Sequence, residues 1–199
     1  MKLQKRPFER FSSNLALIDS IAASYIKNED FNRPILKLVP IKSMNLFTLL
    51  DEESVLPDLE IVNKTEAINA LVDGLKSKVE PEVLEKIREK VFERENVMST
   101  GVGKGLAIPH CKTQSVDENY ASFAVLKEPL DFKSIDGEPV RIIFLLVGPE
   151  DRHSQHIKLL SRISRLMNSS SFHEKLLNSH TAEIIIEAFK EEEQKYFAN

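Results

Sequence analysis

The 199-residue chain reads as a layered α/β body. Amphipathic helices with recognisable caps alternate with apolar strand-like runs, and no internal repeat or low-complexity tract interrupts them. The composition, 42% apolar and 29% charged, is that of an ordinary soluble globular domain. At this length roughly 70% of the unfolded surface can be buried, so a core forms without disulfide or structural metal. The single cysteine, Cys111, excludes an internal disulfide framework and a cysteine-clustered zinc site, and it fits a reducing cytoplasm. The strongest apolar runs, such as Ile142 to Val147, are far shorter than the roughly 18 residues that span a bilayer, so no membrane insertion is expected. Asp19 interrupts the one apolar stretch, Leu15 to Ala23, that could serve a signal peptide, and none is expected.

Charge divides the chain. Residues 1–42 carry eight Lys/Arg and four Asp/Glu, whereas residues 43–199 carry nineteen and twenty-seven, so the balance changes from +4 to −8. This places a boundary near residue 42 and separates a leader (1–42) from a body (43–199). The leader contains one helical pattern, Asn14 to Lys27, with Leu17, Ile18, Ile21 and Tyr25 on one face. It has no Arg-rich cluster and precedes an acidic body, so nucleic acid is not expected as a partner.

In the body, Asn63 with Glu66 three residues on forms a capping box ahead of Ala67, Ile68, Leu71, Val72 and Leu75, which predicts a helix of about 14 residues. Pro81 opens a second helix with Val83, Leu84, Ile87, Val91 and Phe92 buried, ending near Arg94. The Gly/Ser/Thr-rich stretch 99–105 then leads into Leu106, Ala107 and Ile108, which Pro109 stops. Tyr120 to Leu126 and Val140 to Val147 read as strands, the second so apolar that both its faces must be covered. A helix follows from about Arg152 to Met167 with Ile157, Leu160, Ile163 and Leu166 inward. Ser171 and Glu174 suggest a second capping box, and Thr181 to about Gln194 forms the last helix, with Glu191 to Glu193 as its solvated end.

The glycines at 101, 103 and 105 do not form a Walker A loop, because Leu106 and Ala107 stand where Lys and Ser/Thr are needed. A Rossmann fingerprint fails as well, since Leu106 occupies the sixth place and a helix precedes the loop. A tight turn is the expected role. Cys111 lies next to His110, but neighbours in an extended segment face opposite ways, so no nucleophile–base dyad forms and Cys111 is expected to be a buried hydrophobe. His153 and His156 lack the carboxylates of a metal site, and His153 is expected to face solvent.

Arg94 and Glu95, then Ser99, Thr100 and Gly101, then the run from Gly105 to His110 closely resemble the active-site signature of the fructose/mannitol-type enzyme IIA of the bacterial phosphoenolpyruvate-dependent phosphotransferase system, nitrogen-regulatory branch included. His156, Ile157, Leu160 and Ile163 resemble that family's helix bearing a second histidine, 46 residues beyond His110. The resemblance runs from about Leu46 to Phe189 and leaves the leader outside.

The resemblance implies a mixed β-sheet sandwiched by helices, with His110 as the phosphorylated residue, His156 as an accessory histidine and Arg94 as the cation facing the phosphate. No cofactor or metal is implied. An HPr-like phosphocarrier would donate the phosphoryl group and an enzyme IIB would accept it. The alternative is a regulatory protein of the nitrogen branch, whose phosphorylation state controls binding to a transporter, kinase or transcription regulator; the lack of IIB or IIC segments in the chain counts towards it. A noncatalytic descendant is disfavoured because Arg94, His110 and His156 are all present. The chemistry suits these residues. A neutral imidazole is nucleophilic near pH 7, and a loose phosphoryl transition state calls for guanidinium and imidazole donors.

Overall fold

The computed structural model describes residues 45–197, so the expected leader helix and the boundary at 42 lie outside the described residues. Six strands form one mixed sheet: β1 (Val55–Leu59), β2 (Gly101–Gly103), β3 (Leu106–Ala107), β4 (His110–Thr113), β5 (Tyr120–Leu130) and β6 (Val140–Pro149). Their order is β1-β5-β6-β3-β2, with β4 also paired to β6. β6 lies antiparallel to β5 and parallel to β3 and β4.

The apolar run of β6 is central because both its faces are covered. Ile142, Phe144 and Leu146 enter one core; Ile143, Leu145 and Val147 enter the other. Helices α1 (Lys64–Asp73) and α2 (Pro81–Val97) cover the second face. The first is covered by α3 (His153–Met167), α4 (Ser170–Leu177) and α5 (Ala182–Phe197). Phe189 of α5 meets Phe123, Phe172 and Phe144 edge-to-face, with ring centroids 5.1, 5.2 and 5.8 Å away. The expected mixed sheet sandwiched by helices is therefore present.

Several elements differ from expectation in instructive ways. Pro109 ends β3, but the chain resumes beside β6 as β4, with His110 opposite Leu146. Proline has no N–H to give, yet its carbonyl accepts from Leu146 N (3.0 Å), so the path along β6 survives the interruption. Helix α3 is rotated slightly from the expected stripe: His156, Leu159, Ile163, Leu166 and Met167 are buried, while Ile157 and Leu160 are half-buried. Helix α4 is capped by Ser169, whose side chain accepts from Phe172 N, and not by Ser171. The end of α5 is only partly solvated: Glu191 is exposed, but Glu192 and Glu193 are buried. Glu193 is 2% exposed and accepts from Leu46 N (2.9 Å) and Phe47 N (3.1 Å), with Arg162 Nη1 at 3.3 Å.

Candidate active site

The site is assembled where α2 ends and β4 begins. The expected cap of α1 forms in part: Asn63 Oδ1 accepts from Glu66 N (2.9 Å), while the Glu66 carboxylate turns back to Val62 N (3.1 Å); the cap sets Lys64 in the first turn facing the end of α2. There Lys64 Nζ pairs with the carboxylate of Glu95, and also donates to Ser99 Oγ (3.2 Å) and Phe132 O (3.0 Å). Glu95 is buried and accepts from Thr100 N (3.1 Å) and from Thr100 Oγ1. The result is a clamp that fixes the loop after α2. Gly103, Lys104 and Gly105 all have positive φ (98°, 56° and 73°), which reverses the chain between β2 and β3. Asp136 Oδ2 accepts from Lys104 N (2.8 Å), so this turn is held by the protein's own carboxylate, in line with a structural role.

His110 opens β4, and its Nδ1 lies 2.8 Å from Ile108 O. A carbonyl only accepts, so Nδ1 carries the proton and Nε2 keeps its lone pair. Burial lowers the His110 pKa to about 4, and the nearby charges of Arg94 and Lys112 act the same way, against the Ile108 bond and Glu95. The ring is neutral at pH 7. His156 reaches in from α3, 4% exposed, with its ring centroid 5.8 Å from that of His110 and the planes tilted by 48°. Burial, then His110, Lys112 and His153, bring its pKa down to about 3.

Arg94 stands in the last turn of α2 and its Nη1 donates to Met98 O (2.9 Å). The structure thus brings His110 and His156 together and places Arg94 close enough for its charge to weaken proton binding by His110. Cys111 points into the opposite core, where burial pushes its thiol up to about 12, as expected of an inert hydrophobe.

Sequence reasoning missed Lys112. It follows His110 by two in an extended segment and so shares its face, a period-2 signal that was available. Its Nζ contacts His153 Nδ1, so His153 is half-buried beside the site and does not simply face solvent. Among the described residues no three His, Cys, Asp or Glu side chains are grouped to hold a metal ion, and no helix is long and apolar enough to cross a membrane.

A neutral imidazole with a bare Nε2, a second imidazole facing it and a guanidinium whose charge reaches it are groups whose chemistry suits phosphoryl transfer. The family model described as "Phosphoenolpyruvate-dependent sugar phosphotransferase system, EIIA 2" matches residues 48–192. The chain belongs to this family. The EIIA domain is 34% identical over 142 residues to a nitrogen regulatory protein of Bradyrhizobium diazoefficiens, covering 71% of this chain and 92% of that one. It is 28% identical over 151 residues to the fructose-specific EIIABC component of Bacillus subtilis, covering 76% of this chain but 24% of that longer protein. Among solved structures, the nitrogen regulatory protein IIA-Ntr of Neisseria meningitidis matches with a TM-score of 0.66 and 28% identity, over 72% of this chain and 97% of that one. The EIIA domain is accordingly a phosphotransferase-system component that works by transfer of phosphate through histidine.

Proposed function

We propose that His110 is the phosphoryl acceptor of this EIIA domain, that an HPr-like phosphocarrier supplies the group, and that an enzyme IIB receives it, all in the cytoplasm. The observation that carries this reading is the bond between His110 Nδ1–H and Ile108 O, which leaves Nε2 as the nucleophile. The lone pair of Nε2 attacks the phosphorus of the donor's phosphohistidine. The donor's N–P bond breaks and its electron pair stays on the donor imidazole. In the second transfer a cysteine sulfur of enzyme IIB attacks, and the His110 N–P bond returns its pair to Nε2. Negative charge spreads over the three transferring oxygens, and Arg94 and His156 are assigned to stabilise it.

The EIIABC relative supports enzyme IIB as the acceptor, since its name joins an A unit to a B unit. A regulatory role is supported by a different observation: this chain matches the nitrogen regulatory protein of Bradyrhizobium diazoefficiens over 92% of its length, at 34% identity. Both roles need the same phosphohistidine. The test is reconstitution with phosphoenolpyruvate, enzyme I and HPr, followed by addition of an isolated enzyme IIB. Stoichiometric loading followed by discharge to enzyme IIB supports the carrier reading. Loading without discharge to any enzyme IIB leaves the regulatory role, and failure to load removes both.

A further inference from the structure

A buried polar atom outside the residues assigned so far lies against the site. Asn119, the residue before β5, has its Oδ1 buried with no hydrogen-bond partner, and both ring nitrogens of His156 are in the same condition. Both side chains reach the space over Gly148. A Cβ at that glycine would lie 2.7 Å from Asn119 Oδ1 and 2.8 Å from His156 Nδ1, so the missing side chain is the space in which both atoms sit. In the β4–β6 register Gly148 is paired with Lys112, one step along the same face from the His110–Leu146 pair. A desolvated carbonyl and a desolvated ring nitrogen at one void are each costly if left unmet, and a hydrogen bond between them relieves both.

We propose that Asn119 is a positioning residue for His156, its side-chain carbonyl accepting a hydrogen bond from Nδ1–H and so fixing both the ring's orientation and its tautomer. Nε2 is then the nitrogen left for the phosphoryl group. The idea rests on His110 as the acceptor. When the dianionic phosphoryl group stands on His110, His156 Nε2 takes one proton from solvent and donates it as a hydrogen bond to a phosphoryl oxygen, while Nδ1–H stays on Asn119. The charged and titratable groups acting on His156 are His110 and Lys112 from β4 and His153 from its own helix, all of which oppose a positive charge there. The Asn119 carbonyl supplies the negative end of a dipole at the ring. Gly148 is the enabling residue, because any side chain there would collide with both partners.

The tautomer can be read without any phosphotransfer, by ¹⁵N NMR of the histidine rings in the full-length, unphosphorylated protein. The expected spectrum shows His156 neutral at pH 7 with Nδ1 protonated and Nε2 bare. In Asn119→Ala the two tautomers become mixed and phosphorylation of His110 slows about five- to ten-fold, as befits one lost hydrogen bond. Asn119→Asp keeps the acceptor oxygen and adds a charge. It restores the Nδ1–H form and moves the titration of His156 above that of the wild type. A wild-type His156 protonated on Nε2, or an Asn119→Ala protein with unchanged tautomer and titration, overturns the proposal. If the predicted tautomer is found but His110 takes no phosphate, the acceptor reading alone falls.

Discussion

His110 is a free base throughout the neutral pH range, because the same burial that positions it keeps it from being protonated. Phosphoryl acceptance should therefore hardly change between pH 5.5 and 8 at saturating donor, whereas an imidazole with the ordinary value near 6.5 would lose most of its nucleophile at the acid end; a rate–pH profile measures this. Stability shows the opposite face of the same fact. His110 and His156 are held neutral with values of about 4 and about 3, while in the unfolded chain both bind protons below about 6.5. The unfolded state gains protons first, so stability is full above about 6.5, declines as pH falls from there towards the folded values, and levels off below them. Denaturant melts at pH 7, 5.5 and 4.5 should show that decline, and His156→Gln should make it shallower. Arg94→Gln and His156→Gln should each slow loading of His110 by about 10² to 10³ with little change in melting temperature, since each acts on transition-state charge. His110, His156 and Arg94, the residues proposed for the transfer, were legible from a short motif. Lys112, Asn119 and Gly148 were not, because their roles depend on which residues the β4–β6 register sets side by side.

At the scale of elements, one carboxylate fixes the start of the loop carrying the signature, where α2 ends. Glu95 binds Thr100 through backbone and side chain and pairs with Lys64, so it fastens α1, the end of α2 and the following loop at one point. Glu95→Ala takes the carboxylate away from the Lys64 charge and the acceptor away from Thr100 N and Oγ1, at a cost of about 3 kcal/mol. Glu95→Gln, which keeps an acceptor, should cost less and retain more activity, as denaturant melts and loading rates can show. Helix existence and type were readable from caps and apolar periodicity, as at Asn63 and Pro81. What escaped was tertiary. Three successive Glu at the end of α5 look like a solvated terminus until the backbone N–H groups of Leu46 and Phe47 and the guanidinium of Arg162 close around Glu193. β1 gave no usable sequence signal; Pro57 interrupts it, and it becomes a strand through its parallel pairing with β5.

At the scale of the whole molecule, the described residues form a sheet covered on both faces, and His110 sits on a strand anchored to its central member. That architecture was foreshadowed by β6, whose unbroken apolar run demands cover on both sides. The buried apolar residues described for the two cores run from Leu46 to Phe189, so deletion of residues 1–42 is predicted to leave both the melting temperature and the rate of His110 phosphorylation close to those of the full chain. A truncated protein that is unfolded or inactive would place the boundary elsewhere. The central claim concerns one atom and is tested most directly by finding where the phosphate goes. Wild-type protein and His110→Ala are loaded with phosphoenolpyruvate, enzyme I and HPr, weighed intact, and compared by ¹⁵N and ³¹P NMR. The wild type should carry one acid-labile, alkali-stable phosphoryl group on Nε2 of His110, and the variant none. A variant that still loads stoichiometrically, or a phosphoryl group found on any other residue, would contradict the account.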